Sequence, residues 1–309
     1  MNNLMPLGQV RQRVEELSQN CWDSEVPVKS LVFRGLDTVL IDGGKHRLKP
    51  MAQRSISNRL GIPYQYLSRC DPQLQSVNMN YWLPEERNEY LFFRFDGNDV
   101  RAIFTPKYTP VDNTMILDKL ELNGYGQDTP VQCHLDEEFM LLNIPDQEKA
   151  FRLNGNDEMR PGISVSNSEV GLASLTISAF CLRLICTNGV ISKTSVDSSY
   201  RHVSRRVLDE FPNVLGNVSR ELDRQHSQWA ISMESPVENP ESTLKTFNRQ
   251  FQLDKKEQDA VEWAWPQEAG DKMFHVVNTY TRAAQYPALN AEQSCRLQRV
   301  GGSVLAMVN

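Results

Sequence analysis

The sequence predicts an α+β protein, with a mostly antiparallel sheet and packed helices in its N-terminal two thirds and a helical C-terminal region. Three observations predict it. Residues 88–104 (NEYLFFRFDGNDVRAIF) place two β-rich runs on either side of Asp96-Gly97, a hairpin signature. Residues 174–186 contain the run LTISAFCLRLIC, which is apolar on both faces, as a central strand is. Beyond about residue 200 the apolar spacing becomes helical and stays so.

Taken in order, residues 1–27 are polar, with Val10, Val14 and Leu17 at helical spacing, and read as a short amphipathic helix or arm. Residues 30–42 (SLVFRGLDTVLID) read as a pair of strands closed by Gly43-Gly44. Over 50–83 the period changes: Ile56, Leu60, Tyr64 and Leu67 fit helical turns, punctuated by Gly61 and Pro63. Residues 111–123 suggest a helix capped by Asp112 or Asn113 and ended by Gly124. Strands are expected at 130–135, 138–144, 162–166 and 174–186. A long helical pattern over 202–233 is interrupted around Pro212, and Pro236 and Pro240 mark a loop. Further helices are expected near 242–252, 254–265, 271–285 and 290–308. The organisation is therefore a helical arm at 1–27, an α+β body at 28–200 and a helical region at 201–309.

The 309 residues are 40% hydrophobic and 23% charged, a folded profile. No apolar run reaches the roughly 18 residues of a membrane span. The stretch Met1 to Val14 lacks a basic segment followed by an apolar one, so no secretory signal is read there and a cytoplasmic location is expected. The six cysteines form no C-x-x-C pair. Cys181 and Cys186 would point to opposite faces of a strand and could not share a metal.

Motifs that carry chemistry are missing. Asp42-Gly43-Gly44-Lys45 has Val39 where a phosphate-binding loop needs glycine, and Gly124-Tyr125-Gly126 lacks the third glycine of a dinucleotide fingerprint. His134 with Asp136, Glu137 and Glu138 offers ligand types but reads as an acidic turn. Pro145-Asp146 and Asp254-Lys255-Lys256 have the letters of a nuclease core, too far apart and partly in a helix. No G-x-S-x-G elbow is present. No catalytic residue, metal ligand or cofactor is assigned.

Charge is segregated. The net charge is −6, yet residues 29–69 carry eight bases (Lys29, Arg34, Lys45, Arg47, Lys49, Arg54, Arg59, Arg69) against Asp37 and Asp42. Residues 136–158 and 234–271 are each acidic. Tyr64, Tyr66, Tyr81 and Trp82 lie within or just beyond the basic segment, and Arg201, His202, Arg205 and Arg206 make a second cluster. On a helix, Arg201 and Arg205 share a face, and such arginines contact successive phosphates while aromatics stack on unpaired bases. Lys45, Arg47, Lys49, Arg54, Arg201, Arg205 and Arg206 are the candidate nucleic-acid contacts.

The stretch Arg101-Ala102-Ile103-Phe104-Thr105-Pro106-Lys107-Tyr108 with Val111-Asp112-Asn113, then Ser166-Asn167-Ser168-Glu169-Val170-Gly171, then Arg183-Leu184-Ile185-Cys186-Thr187-Asn188-Gly189, resembles the phage/plasmid-like domain-of-unknown-function family. Leu60-Gly61-Ile62-Pro63 and Asn278-Thr279-Tyr280-Thr281-Arg282-Ala283-Ala284 are similar to its earlier and later parts. Thr105-Pro106 departs from the pattern, where a serine and an acid are expected. Within these pieces Asn188-Gly189 reads as a tight turn, Asn167 as the cap of a strand end, and Lys107, Tyr108 and Arg183 as further phosphate or base contacts. The resemblance implies a mobile-element protein whose strand-then-helix layout is similar to that of phage single-strand annealing proteins.

These features point to a single-stranded nucleic-acid-binding protein, DNA favoured, serving replication, recombination or strand annealing as a homo-oligomer, with no membrane partner. The alternative is a protein-interaction factor, a counter-defence inhibitor or a subunit of a larger complex, that meets a host or phage protein through its acidic segments. An enzyme with a dispersed site is the third reading.

Overall fold

A computed structural model describes residues 4–153, 157–183, 188–191, 198–200 and 227–308. Two sheets organise it. The first takes strands β2 (Cys21–Pro27), β3 (Leu31–Phe33), β4 (Thr38–Ile41), β5 (Gly44–Leu48), β6 (Tyr90–Asp96) and β7 (Asp99–Phe104) in the order β2-β6-β7-β5-β4-β3. All its pairs are antiparallel except β5 with β7. The second is eight-stranded. It runs β1 (Met5–Pro6), β8 (Pro130–Leu135), β9 (Met140–Pro145), β11 (Asp157–Asn167), β12 (Leu175–Arg183) and β13 (Asn188–Ile191), with β10 (Phe151–Leu153) on β11 and β14 (Ser198–Tyr200) on β12.

Local chemistry sets the hairpins. Gly97, at φ +55°, turns β6 into β7 as the sequence predicts. Between β4 and β5 the turn is Asp42-Gly43, at φ +48° and +86°, and Gly44 is already strand, paired with Ile41. Two left-handed residues in succession give the hairpin turn whose twist matches its strands, so the closure lies one residue earlier than Gly43-Gly44. Asn188 and Gly189, expected in a turn, instead open β13 and pair with Arg183 and Leu182. The ladder to β12 claims their backbone groups.

The N-terminal helix is α1 (Leu7–Ser18). Residues 21–27, read with it as one arm, form β2, an edge strand of the first sheet along the whole of β6. Leu7, Val10 and Val14 share a core with Ile116, Leu117 and Leu120 of α5 (Asn113–Leu122) and with Met140, Leu142 and Ile144 of β9. The opposite face of β9 carries Leu141 and the buried Asn143, whose amide donates to Gln132 Oε1 at 3.1 Å and to Gln298 Oε1 at 2.9 Å. Leu141, with Phe139 just before the strand, packs on Phe180, Leu182 and on Ala291 and Cys295 of α10 (Ala291–Leu305). Burying each such side chain contributes about 1.5–3 kcal/mol, so both faces of β9 and β12 carry core residues, with Asn143, Thr176 and Ser178 as buried polar exceptions.

The first sheet is covered on one face by α2 (Pro50–Arg59), α3 (Tyr64–Leu67) and α4 (Pro72–Trp82), around Phe33, Phe93, Ile56, Leu67 and Met79. The C-terminal region holds a helix at 227–234 (α6), then α7 (Pro240–Gln250), α8 (Lys255–Glu268), α9 (Met273–Ala283) and α10. They pack on one another and, through Met159 and Cys181, on β11 and β12. The α+β class with a helical C-terminus is thus the observed one. No helix of the described residues is long and apolar enough to cross a membrane.

Candidate nucleic-acid interface

Strand β5 alternates. His46, whose ring lies 5.4 Å from Phe95, and buried Leu48 face the helices, so Lys45 and Arg47 share the other face. Arg47 is bonded to Asp99. Lys49 Nζ lies 2.7 Å from Asp96 and 2.9 Å from Glu137. Burial opposes the Lys49 charge, but the two carboxylates outweigh it and hold its pKa above the usual lysine value. Lys45 forms no ion pair among the described residues. Arg54, exposed on α2, sets its guanidinium 5.5 Å from the Tyr64 ring centre, a cation–π contact worth about 0.5–1 kcal/mol at the surface.

Lys107 is exposed in the turn after β7. Tyr108 stacks parallel to Phe104 at 3.8 Å and donates its hydroxyl to the Glu169 carbonyl at 3.2 Å. Burial pushes that hydroxyl up to about 12, so it stays protonated. Arg183 is held at 3.0 Å by Glu268 with its guanidinium 4.9 Å from the Phe274 ring centre, a contact within the C-terminal packing. Arg201, Arg205 and Arg206 lie outside the described residues. The candidate contacts that are described therefore fall in three places: the β5–α2 surface, the turn at Lys107, and the foot of the C-terminal helices.

Two of the pieces carrying the family resemblance, 101–113 and 166–171, meet at the joint between the sheets. Arg94 and Arg101 stand on the face of the first sheet turned away from its helices. Arg94 bonds Asp23, Asp112 and the Glu169 carbonyl; Arg101 bonds Glu169 and the Cys21 thiol. Burial raises the Cys21 thiol pKa against the pull of Arg101. Asn167, expected to cap a strand end, does end β11. Its amide donates to the Val111 carbonyl and to Asn113 Oδ1. Asp112 precedes α5 but turns its carboxylate to Arg94 rather than to the helix N–H groups. A cavity of about 110 Å³ beside this joint is lined by Cys21, Lys49, Asp96, Arg101 and Glu169 among others.

A second surface was not singled out by sequence. Pairing of Pro27 with Tyr90, and the 2.9 Å bond from Val28 N–H to the Glu89 carbonyl, bring residues 27–29 against 87–90. Between them and the end of α4 opens a groove of about 850 Å³, lined by Lys29, Arg87, Val32 and the exposed ring of Tyr90. Neither Lys29 nor Arg87 forms an ion pair among the described residues. Glu86 and Glu89 also line it; the charge of Glu86 is taken by Arg59 at 3.1 Å and by Asn88, and Glu89 is exposed at the rim. Exposed Trp82 adjoins the groove-lining Leu83. The available signal was an Arg and a Tyr flanking β6, which only strand pairing joins to Lys29.

The acidic segments are less of a surface than their composition suggests. Glu257 is fully buried against Arg296, Glu268 is buried between Arg183 and Arg282, and Asp136 accepts the N–H groups of Glu138, Phe139 and Ala291. His134 is half-buried beside Ser294. Among the described residues no group of three or more His, Cys, Asp or Glu could hold a metal ion.

A family model described as "Domain of unknown function (DUF932)" matches residues 102–304. The stretch spans the second sheet apart from β1 and the helices α5 to α10, and leaves α1, the groove, α4 and most of the first sheet outside it. No curated protein and no solved structure matches the chain.

Proposed function

The chain belongs to the DUF932 family, a domain of unknown function, and for this member we propose single-stranded nucleic-acid binding, DNA favoured, without catalysis. The observation that carries the reading is the groove: two cations free of ion pairs, Lys29 and Arg87, flank an exposed aromatic ring, Tyr90. Cations meet phosphates and release counterions, while an aromatic face takes an unpaired base of any sequence. Lys45 of β5, Arg54 of α2 and Lys107 in the turn after β7 are further exposed cations of this part of the chain. The resemblance to phage- and plasmid-borne proteins supports a cytoplasmic role in replication, recombination or annealing of mobile DNA. The rival, in which acidic faces capture a protein, keeps exposed Glu137, Glu148, Glu238 and Glu262 and loses Asp136, Glu257 and Glu268, which are committed inward.

Fluorescence anisotropy with labelled single-stranded and duplex oligonucleotides, at low and at physiological salt, tests it. Tighter binding of the single strand, weakening steeply as salt rises, is expected. A chain that leaves both oligonucleotides free in low salt is not a nucleic-acid-binding protein.

A further inference from the structure

Helix α4 lies along β3, the edge strand of the first sheet, and covers its free backbone groups with side chains. Asn80 accepts from the Phe33 N–H at 2.8 Å and donates to the Phe33 carbonyl at 2.9 Å, as a neighbouring strand would. Gln75 accepts from the Leu36 N–H at 2.8 Å, and Met79 is fully buried. These contacts fix which face of α4 points inward. The opposite face carries Leu74, Val77 and Tyr81, spaced three and four apart, with 42%, 59% and 72% of their surface exposed. Exposed Tyr66 of α3 and Trp82 extend the apolar patch.

From Pro72 to Trp82 the helix has no Asp, Glu, Lys or Arg, whereas each of the other described helices of two turns or more has at least one charged residue. A helix face shaped only for water would carry charges. A polyanion finds no cation on this helix, and a charged partner would lose hydration against the stripe. A two-fold contact sets a patch against itself, so any net charge on it repels its own copy. A neutral, apolar, self-complementary stripe meets that requirement.

We infer that α4 is the contact between two copies of this chain, crossing antiparallel with Val77 at the two-fold axis and Leu74 of each copy against Tyr81 of the other. The inference does not depend on nucleic-acid binding. An 11-residue helix is about 16 Å long, so the stripe buries less than the roughly 800 Å² per partner of a standard stable interface. The dimer is accordingly weak and reversible, a monomer when dilute.

Sedimentation equilibrium of the full chain, from low to several hundred micromolar, reads the association directly. The 35.4 kDa chain is expected to move towards twice its mass as concentration rises. Val77→Glu places two carboxylates face to face and weakens the association by at least roughly tenfold, with circular dichroism and urea unfolding like the parent. Val77→Lys alone does the same, and an equimolar mixture of the two variants restores the dimer. A parent that stays monomeric throughout, a Val77→Glu chain that still dimerises, or a mixture that remains monomeric would each overturn the assignment.

Discussion

Glu169 divides its two oxygens between the halves of the molecule: Oε2 accepts from Arg101 of β7 at 2.7 Å, and Oε1 accepts the N–H of Asn113, the first residue of α5, at 2.7 Å. One side chain thus fixes the first sheet, the start of α5 and the end of β11 relative to one another. Both Arg101 and Glu169 are at least nine-tenths buried, so each charge depends on the other more than on water.

Glu169→Gln removes the counter-charge and leaves the Arg101 guanidinium buried with only a neutral acceptor. Breaking a buried pair from one side costs about 3–5 kcal/mol, and urea unfolding monitored by tryptophan fluorescence should lose stability in that range. Replacing both partners, Arg101→Met with Glu169→Leu, should recover part of the loss, because no orphaned charge remains and only the Asn113 N–H is left without its acceptor. A loss under about 1 kcal/mol for Glu169→Gln would mean that the joint is held by something else.

Gly162 of β11 is held for a different reason. A Cβ there would stand 2.1 Å from the Ile144 carbonyl oxygen and 2.7 Å from the Pro145 Cα, both backbone atoms that no rotamer change can move. Gly162→Ala should therefore cost about 2–3 kcal/mol through displacement of β9. Gly126→Ala, which meets nothing within 4 Å, should be neutral or slightly stabilising. Equal melting temperatures for the two variants would contradict the close approach of β9 to β11.

His134 gives the stability a pH dependence. Burial on β8 lowers its pKa below the ordinary 6.5, so in acid the unfolded chain takes up a proton that the folded chain resists. Its contribution is therefore intact above about pH 6.5 and shrinks as pH falls below that value, by at most about 1.4 kcal/mol per pH unit. Subtracting the stability of a His134→Gln variant from that of the parent at each pH isolates this slope from the carboxylates. A difference that stays flat down to about pH 5 would show that His134 titrates freely.

What the sequence made legible was local. The turn at Gly97 is written in adjacent residues, and the structure adds local signals that were not read, the reciprocal capping boxes of Asp254 with Glu257 and of Asn290 with Gln293. Strand β2 (CWDSEVP) was not legible, because an edge strand keeps polar residues on its open side and its partner β6 is distant in sequence. The joint was hidden for the same reason. Arg94 and Arg101 sit in apolar strands, and only the crossing of the two sheets brings Asp23, Asp112 and Glu169 to them. Basic composition located Lys45 and Arg54 on a surface, but it also counted Arg47 and Lys49, whose charges Asp99, Asp96 and Glu137 neutralise.

The groove separates two kinds of contact that composition merges. If Lys29 and Arg87 each neutralise a phosphate, alanine at either position lowers single-strand affinity several-fold and makes the salt dependence shallower by about 0.7 in slope, since that is the counterion release per contact on a single strand. Tyr90→Ala should behave otherwise. Stacking on a base involves no counterion, so affinity should fall by about 1–3 kcal/mol while the slope stays that of the parent. Arg201, Arg205 and Arg206, outside the described residues, supply the comparison: their triple alanine variant should lose about 2 in slope if that cluster is the main phosphate track. Anisotropy titrations at four salt concentrations distinguish the cases. A groove variant set whose affinities and slopes all match the parent, beside a triple arginine variant that loses both, moves the interface to residues 201–206. Loss of affinity with an unchanged slope in Lys29→Ala and Arg87→Ala would mean that these cations shape the groove without touching phosphate.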